Sequence, residues 1–152
     1  MEEKIKIKTA AEMQLFAAKV AKEVVSLPPS KTAKVISLVG DLGAGKTTFS
    51  QGFLKELGVT RRIISPTFLI VRPYSLLAAR TSFVRAFHID CYRLNRPEEL
   101  LALGFEEIIG DPKNIVLIEW PEIMEGHLPK ETISIRIEHP KTGSARDVLI
   151  KR

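Results

Sequence analysis

The stretch from Val35 to Leu57 constrains the fold more than any other part of the chain; it reads VISLVG, DLGAGKTT, FSQGFLKEL. Gly40, Gly45, Lys46 and Thr47 fill the spacing G-x-x-x-x-G-K-[ST]. Val35, Ile36, Leu38 and Val39 make a short apolar run suited to a buried strand. Beyond the loop, Phe49, Phe53, Leu54 and Leu57 recur at helical spacing, and Gly58 supplies a stop. A glycine-rich turn in that setting aims backbone N–H groups at phosphate, at the positive end of a helix. Gly43, Ala44, Gly45, Lys46, Thr47 and Thr48 form the cradle, with Lys46 reaching the β- and γ-phosphates and the Thr47 hydroxyl ligating magnesium. A chance glycine loop would not bring the Lys-Thr pair together with both flanks. The stretch points to a nucleoside triphosphate.

The remaining bounds are loose. A chain of 152 residues, 45% hydrophobic and 27% charged, suits one soluble domain with its own core. Cys91 is the only cysteine, which excludes an internal disulfide and leaves no cysteine-based zinc site. The start, MEEKIKIKTA, lacks a signal-peptide apolar run, so a cytoplasmic location is expected. No stretch approaches the roughly 20 apolar residues of a membrane span. The formal net charge of +5 is compatible with RNA or an RNA–protein partner, but no arginine-rich tract or aromatic RNA-binding signature accompanies it.

Lys4 to Lys8 alternates charge with Ile5 and Ile7, as in a short edge strand. Thr9 and Glu12 have capping-box spacing and open a helix whose buried face carries Met13, Ala17, Val20, Val24 and Leu27, closed by Pro28-Pro29. Phe68 to Tyr74 reads as a strand, and the short connection from Ser75 to Ser82 makes it an antiparallel hairpin with Phe83 to Asp90. Asn95 and Pro97 open another helix, with Leu100, Leu101 and Leu103 able to bury before Gly104 interrupts it. Phe105 to Ile109 adds a turn or two, and Asn114 to Glu119 is a buried strand ending in a carboxylate. Glu122 to Gly126 forms a single turn; Thr132 to Glu138 and Val148 to Lys151 pair as strands. The result is a single α/β domain over residues 1–152, with a mixed central sheet flanked by helices.

A phosphate-loop hydrolase needs a second carboxylate at a strand end to hold magnesium. Glu119 follows four apolar residues, Ile115 to Ile118, as a central buried strand requires. Asp90 follows the more mixed run Ala86-Phe-His-Ile89 and suits positioning of the attacking water or sensing of the γ-phosphate; a turn-forming surface acid is its plain alternative. Trp120, directly after Glu119, either stacks near the nucleotide or packs as an ordinary apolar side chain. His88 is either a switch residue touching phosphate or a packed strand histidine. His127 and His139 read as solvated groups, while Arg93 and Arg96, near Asp90, either face a phosphate or a partner's acidic patch or are simply exposed, the default for both.

These residues have a familiar order. GDLGAGKTT at 40–48, SPTF at 65–68, HIDCYRL at 88–94, LGFEEI at 103–108, IEW at 118–120 and LP at 128–129 resemble the bacterial TsaE (YjeE) family over nearly the whole chain. That family is the small ATPase of tRNA threonylcarbamoyladenosine synthesis. The resemblance implies a P-loop NTPase fold, ATP as the nucleotide, and magnesium held by Thr47 and Glu119, with Lys46, Asp90 and Glu119 as the catalytic set. It makes SPTF and HIDCYRL switch-like segments, bringing Ser65, Thr67, His88 and Asp90 near the γ-phosphate, and puts Trp120 beside the nucleotide. It implies TsaB and TsaD as partners, with tRNA reached through their complex and ATP turnover resetting it between cycles. Where the family often carries Thr near the start of its first helix, the register of this chain places Met13, and Arg146 is similar to a C-terminal family arginine.

Other phosphate-loop functions have weaker support. A small-molecule kinase needs an arginine-bearing lid, and the segment around Arg93 and Arg96 is short for one. A GTP switch needs an Asn-Lys-x-Asp guanine signature, which the chain lacks. A module that binds ATP without hydrolysis would not need Glu119.

Overall fold

The structure is a computed structural model, and it describes all residues except 65–68, 77–80 and 141. The strand that leads into the phosphate loop, β2 (Lys34–Val39), lies near the middle of a seven-stranded sheet. The other strands are β1 (Glu2–Ile7), β3 (Val71–Ser75), β4 (Arg85–Asp90), β5 (Asn114–Glu119), β6 (Ile133–Glu138) and β7 (Arg146–Lys151). Their order is β1-β7-β6-β2-β5-β4-β3. The four inner strands β6, β2, β5 and β4 run parallel; β3 on one edge and β7 on the other pair antiparallel with them, and β1 pairs antiparallel with β7. The sheet is therefore mixed, as its residues imply. Val116 to Ile118 are essentially inaccessible because helices cover both faces of the sheet.

Helices α1 (Ala10–Ser26) and α2 (Lys46–Glu56) cover one face. Thr9 caps α1 through its hydroxyl, which accepts the Glu12 N–H at 3.1 Å. The Glu12 carboxylate turns to the Lys8 N–H at 2.6 Å rather than back to Thr9. Met13, Ala17, Val20, Ala21 and Val24 are the buried stripe of this helix; Leu27, expected to join them, is 42% exposed because it is the cap, where the chain turns extended before Pro28. The other face is covered by the short helices α3 (Pro97–Leu101) and α4 (Phe105–Gly110) and a 3-10 turn at Pro121–His127, which bury Leu100, Phe105 and Met124.

Several details differ from expectation. The strand expected from Phe68 begins at Val71, because Ile70 takes a left-handed conformation (φ 59°) that no strand continues through; Phe68 itself lies outside the described residues. Its partner starts at Arg85 rather than Phe83: the Phe83 N–H is taken by the Thr81 hydroxyl and the Val84 N–H by the Lys113 carbonyl. Leu103, expected to bury, is half exposed beyond the end of α3.

Candidate functional site

Parallel strands release their C-terminal ends on one edge of a sheet, and ligands of such folds bind there. Here that edge receives β2, β5 and β4 side by side, with Leu38 in register with Glu119 and Glu119 in register with Asp90. The chain leaves β2 through the phosphate loop and enters α2 at Lys46, with Gly45 left-handed at φ 118°. At Gly40 a Cβ would run into the Ile137 carbonyl of β6, so the loop can lie this close to the sheet only with glycine there.

A cleft of about 320 Å³ opens over this edge, lined by Gly43, Gly45, Lys46, Thr47, Thr48, Asp90, Glu119 and Trp120, with Leu42 and Tyr92 at its rim. The candidate site residues expected from sequence therefore converge, with three qualifications. Ala44 is buried behind the loop. His88 is fully buried beneath the cleft instead of lining it. Ser65 and Thr67 lie outside the described residues.

Lys46 is nearly buried and donates to the carbonyls of Gly40 and Asp41 at 2.5 and 2.9 Å, with its ammonium 4.3 Å from the centroid of the Trp120 ring. Burial pushes its ammonium below the usual lysine range; the charges of Glu119, Asp90, Glu122 and Asp41 oppose that shift. Asp90 accepts the Tyr92 N–H at 2.9 Å, and the Tyr92 ring tilts against Trp120 with centroids 5.0 Å apart. Trp120 is held in a left-handed conformation (φ 54°) whose N–H reaches the Leu38 carbonyl at 3.3 Å. Such a conformation costs about 1–3 kcal/mol outside glycine, and here it turns the indole toward Lys46 directly after the carboxylate strand.

Glu119 is buried, and one of its oxygens, Oε1, meets His88 Nε2 at 2.8 Å and the Ser50 hydroxyl at 3.3 Å. Ser50 was not legible as a site residue, although a serine one turn after Lys46 on the apolar face of α2 is the sequence signal for it. Tyr92 was equally silent, two residues beyond Asp90.

Behind the loop lies a second cavity of about 160 Å³, sharing Gly43, Gly45 and Thr48 with the first. Its other walls include Lys8, Thr9, Met13 and Arg146, whose Nε donates to the Ala44 carbonyl at 3.2 Å. Met13 and Arg146 thus both stand beside the phosphate loop.

The donor set fits a magnesium–nucleotide. Thr47, Asp90 and Glu119 offer hard oxygens on one cleft, and Glu119 Oε2 has no hydrogen-bond partner among the described residues. No group of three or more His, Cys, Asp or Glu residues that would cage a metal unaided occurs among the described residues. Magnesium typically takes one or two carboxylates and completes its shell with phosphates and water.

A family model described as threonylcarbamoyl adenosine biosynthesis protein TsaE matches residues 7–148. Curated proteins named tRNA threonylcarbamoyladenosine biosynthesis protein TsaE are similar. The Bacillus subtilis protein is 38% identical over 109 residues, covering 72% of this chain and 64% of that one. The Rickettsia felis protein is 41% identical over 109 residues, covering 71% and 60%. The Haemophilus influenzae protein is 36% identical over 127 residues, covering 84% and 76%. The first two matches thus span slightly less than two thirds of those proteins' length. The crystal structure of Bacillus subtilis YdiB superposes with a TM-score of 0.76 at 29% identity, covering 99% of this chain and 84% of that one. A P-loop NTPase fold with its carboxylates on the phosphate-loop edge, and a family match running from the first strand into the last, lead to one conclusion: the chain belongs to the TsaE family.

Proposed function

We propose that this chain is a magnesium-dependent ATPase subunit of tRNA threonylcarbamoyladenosine formation, working with TsaB and TsaD on the adenosine next to the anticodon in tRNAs that read codons beginning with A. The observation that carries the reading is the convergence of Lys46, Thr47, Asp90, Glu119 and Trp120 on one cleft. ATP would lie with its phosphates along Gly43 to Thr48, and the cavity of Thr9, Met13 and Arg146 that adjoins the loop would have room beside them. Lys46 exchanges the Gly40 and Asp41 carbonyls for β- and γ-phosphate oxygens. Thr47 and Glu119 would hold the magnesium, whose positive charge would offset that of the phosphates, and Asp90 would orient the attacking water.

No arginine lines the cleft among the described residues. Without a finger to stabilise the transferring phosphoryl group, hydrolysis by the isolated chain is slow, and the TsaB–TsaD pair completes or stimulates it. ATP turnover then resets that complex between rounds, tRNA is met through it, and the work is cytoplasmic. The test measures ATPase rate and tRNA modification over many turnovers, with and without TsaB–TsaD. The reading expects a low basal rate that rises with the pair, and modification that stalls early when this chain is omitted. Equal ATPase rates in both arms together with undiminished modification would refute it.

A further inference from the structure

Glu119 and His88 belong to the same face of the sheet. Along β4, Ala86, His88 and Asp90 alternate with Phe87 and Ile89; along β5, Ile115, Leu117 and Glu119 alternate with Val116 and Ile118. His88 is in register with Leu117, which makes Glu119 its diagonal neighbour across the parallel pair, close enough for two long side chains to meet. Helix α2 covers this face and lowers Ser50 onto the same point from above.

Both contacts go to a single oxygen. His88 Nε2 lies 2.8 Å from Glu119 Oε1, and the Ser50 hydroxyl lies 3.3 Å from the same atom while also 3.0 Å from the Lys46 carbonyl. A carboxylate only accepts, so the proton in the short contact sits on His88 Nε2. The other ring nitrogen, Nδ1, is buried with no partner among the described residues. The hydroxyl has one proton to divide between its two acceptors, so the imidazole is the principal donor and Ser50 the lesser.

We propose that His88, assisted by Ser50, is a positioning residue. It pins Glu119 Oε1 beneath the sheet edge and thereby turns Oε2 toward the metal ion. The proposal rests on the magnesium–nucleotide reading of the site. It gives His88 a place one step removed from phosphate: no lining of the cleft, no contact with nucleotide, and an effect felt only through the carboxylate. The interaction also ties the strand-end acid to the first turn of the phosphate-loop helix, since Ser50 bridges Glu119 to the Lys46 carbonyl. Outer partners of this kind typically change metal affinity by about 10–100-fold when removed.

The test uses the full chain and its His88→Leu, His88→Gln, His88→Asn and Ser50→Ala variants. ADP affinity is measured by calorimetry in chelator, and Mn²⁺ affinity of the ADP-bound protein by electron paramagnetic resonance. His88→Leu is expected to keep chelator-state ADP affinity within about twofold and to lose about 10–100-fold in Mn²⁺ affinity. Gln, whose amide nitrogen lies where Nε2 does, restores most of the loss; Asn, which reaches only as far as Nδ1, does not. Ser50→Ala shows a smaller loss of the same sign. Unchanged Mn²⁺ affinity in folded His88→Leu, or equal behaviour of Gln and Asn, would overturn the proposal alone. Wild-type protein that takes up neither ADP nor Mn²⁺–ADP would overturn the nucleotide reading and the proposal with it. Nitrogen NMR of the wild type needs no variant: the His88 ring should carry its proton on Nε2, and a proton on Nδ1 instead would refute the assignment.

Discussion

The Lys46 ammonium sits 4.3 Å from the centroid of the Trp120 ring while two loop carbonyls accept its protons. Under the proposed function this cation would leave the indole to meet phosphate, and Trp120, the only tryptophan, would then report loading. Its emission should change on adding ATP or ADP with magnesium. Lys46→Ala should lose this response and all hydrolysis, and weaken triphosphate binding by about 10–100-fold, as expected for charge-assisted hydrogen bonds of about 1.5–3 kcal/mol. A titration followed by both fluorescence and calorimetry checks the two together; an unchanged affinity would remove Lys46 from the phosphate grip.

Asp90 and Glu119 are neighbours in register, and the proposed function gives them different work. Asp90→Ala should retain magnesium–ATP binding and lose turnover by roughly 10²-fold or more, the scale of a positioned proton acceptor. Glu119→Ala should lose the magnesium dependence of binding. It also strands His88 Nε2 without an acceptor, which costs about 1–3 kcal/mol of stability. Calorimetry across a magnesium series, beside steady-state rates, separates the two. Binding lost in Asp90→Ala would reverse the assignment.

At Gly52 helix α2 lies close against the backbone of α1. A Cβ there would stand 2.6 Å from the Gln14 carbonyl oxygen and 2.7 Å from its Cα, both backbone atoms that cannot step aside. Gly52→Ala should therefore destabilise the fold by about 1–3 kcal/mol, the usual cost of overpacking, despite the better helix propensity of alanine. Denaturant midpoints measure this; an unchanged or raised midpoint would show that α1 shifts without cost.

Cys91 follows Asp90 and is buried at the start of the turn after β4. Burial pushes its thiol up to about 12, and the neighbouring charges of Asp90 and Glu122 push the same way. The native protein holds this proton where an unfolded chain releases it near 9.0, so stability falls as pH rises from about 9 to 12. At pH 8 to 9 the thiolate fraction should be about a thousandfold below that of a free thiol, so iodoacetamide labelling should await unfolding. Rapid labelling of folded protein, followed by mass spectrometry, would contradict the buried placement.

The elements with strong local signals were legible in the order of residues alone. The Thr9 cap, the period of Met13, Ala17 and Val20, and the alternation in Thr132 to Glu138 act within one or two turns of chain; helix α1 opens at that cap and β6 fills all but the first residue of that stretch, while Glu12 turns to Lys8 instead of closing the box. Ends were less legible. Leu27 and Leu103 are apolar and in phase, yet both stand just past the end of a helix and are exposed. Ile70 breaks the strand from Phe68 through a backbone angle that no side-chain pattern encodes.

The sequence by itself determined the phosphate cradle, the order of strands and helices along the chain, and the strand-end acids, because glycine spacing and runs of apolar residues act locally. Only the tertiary structure decided that Glu119 and Asp90 stand side by side at the loop, that His88 faces a carboxylate instead of solvent, and that Ser50 joins them. Those contacts join residues 31 and 69 positions apart, and their geometry comes from strand register and helix docking, which depend on the packing of the whole core.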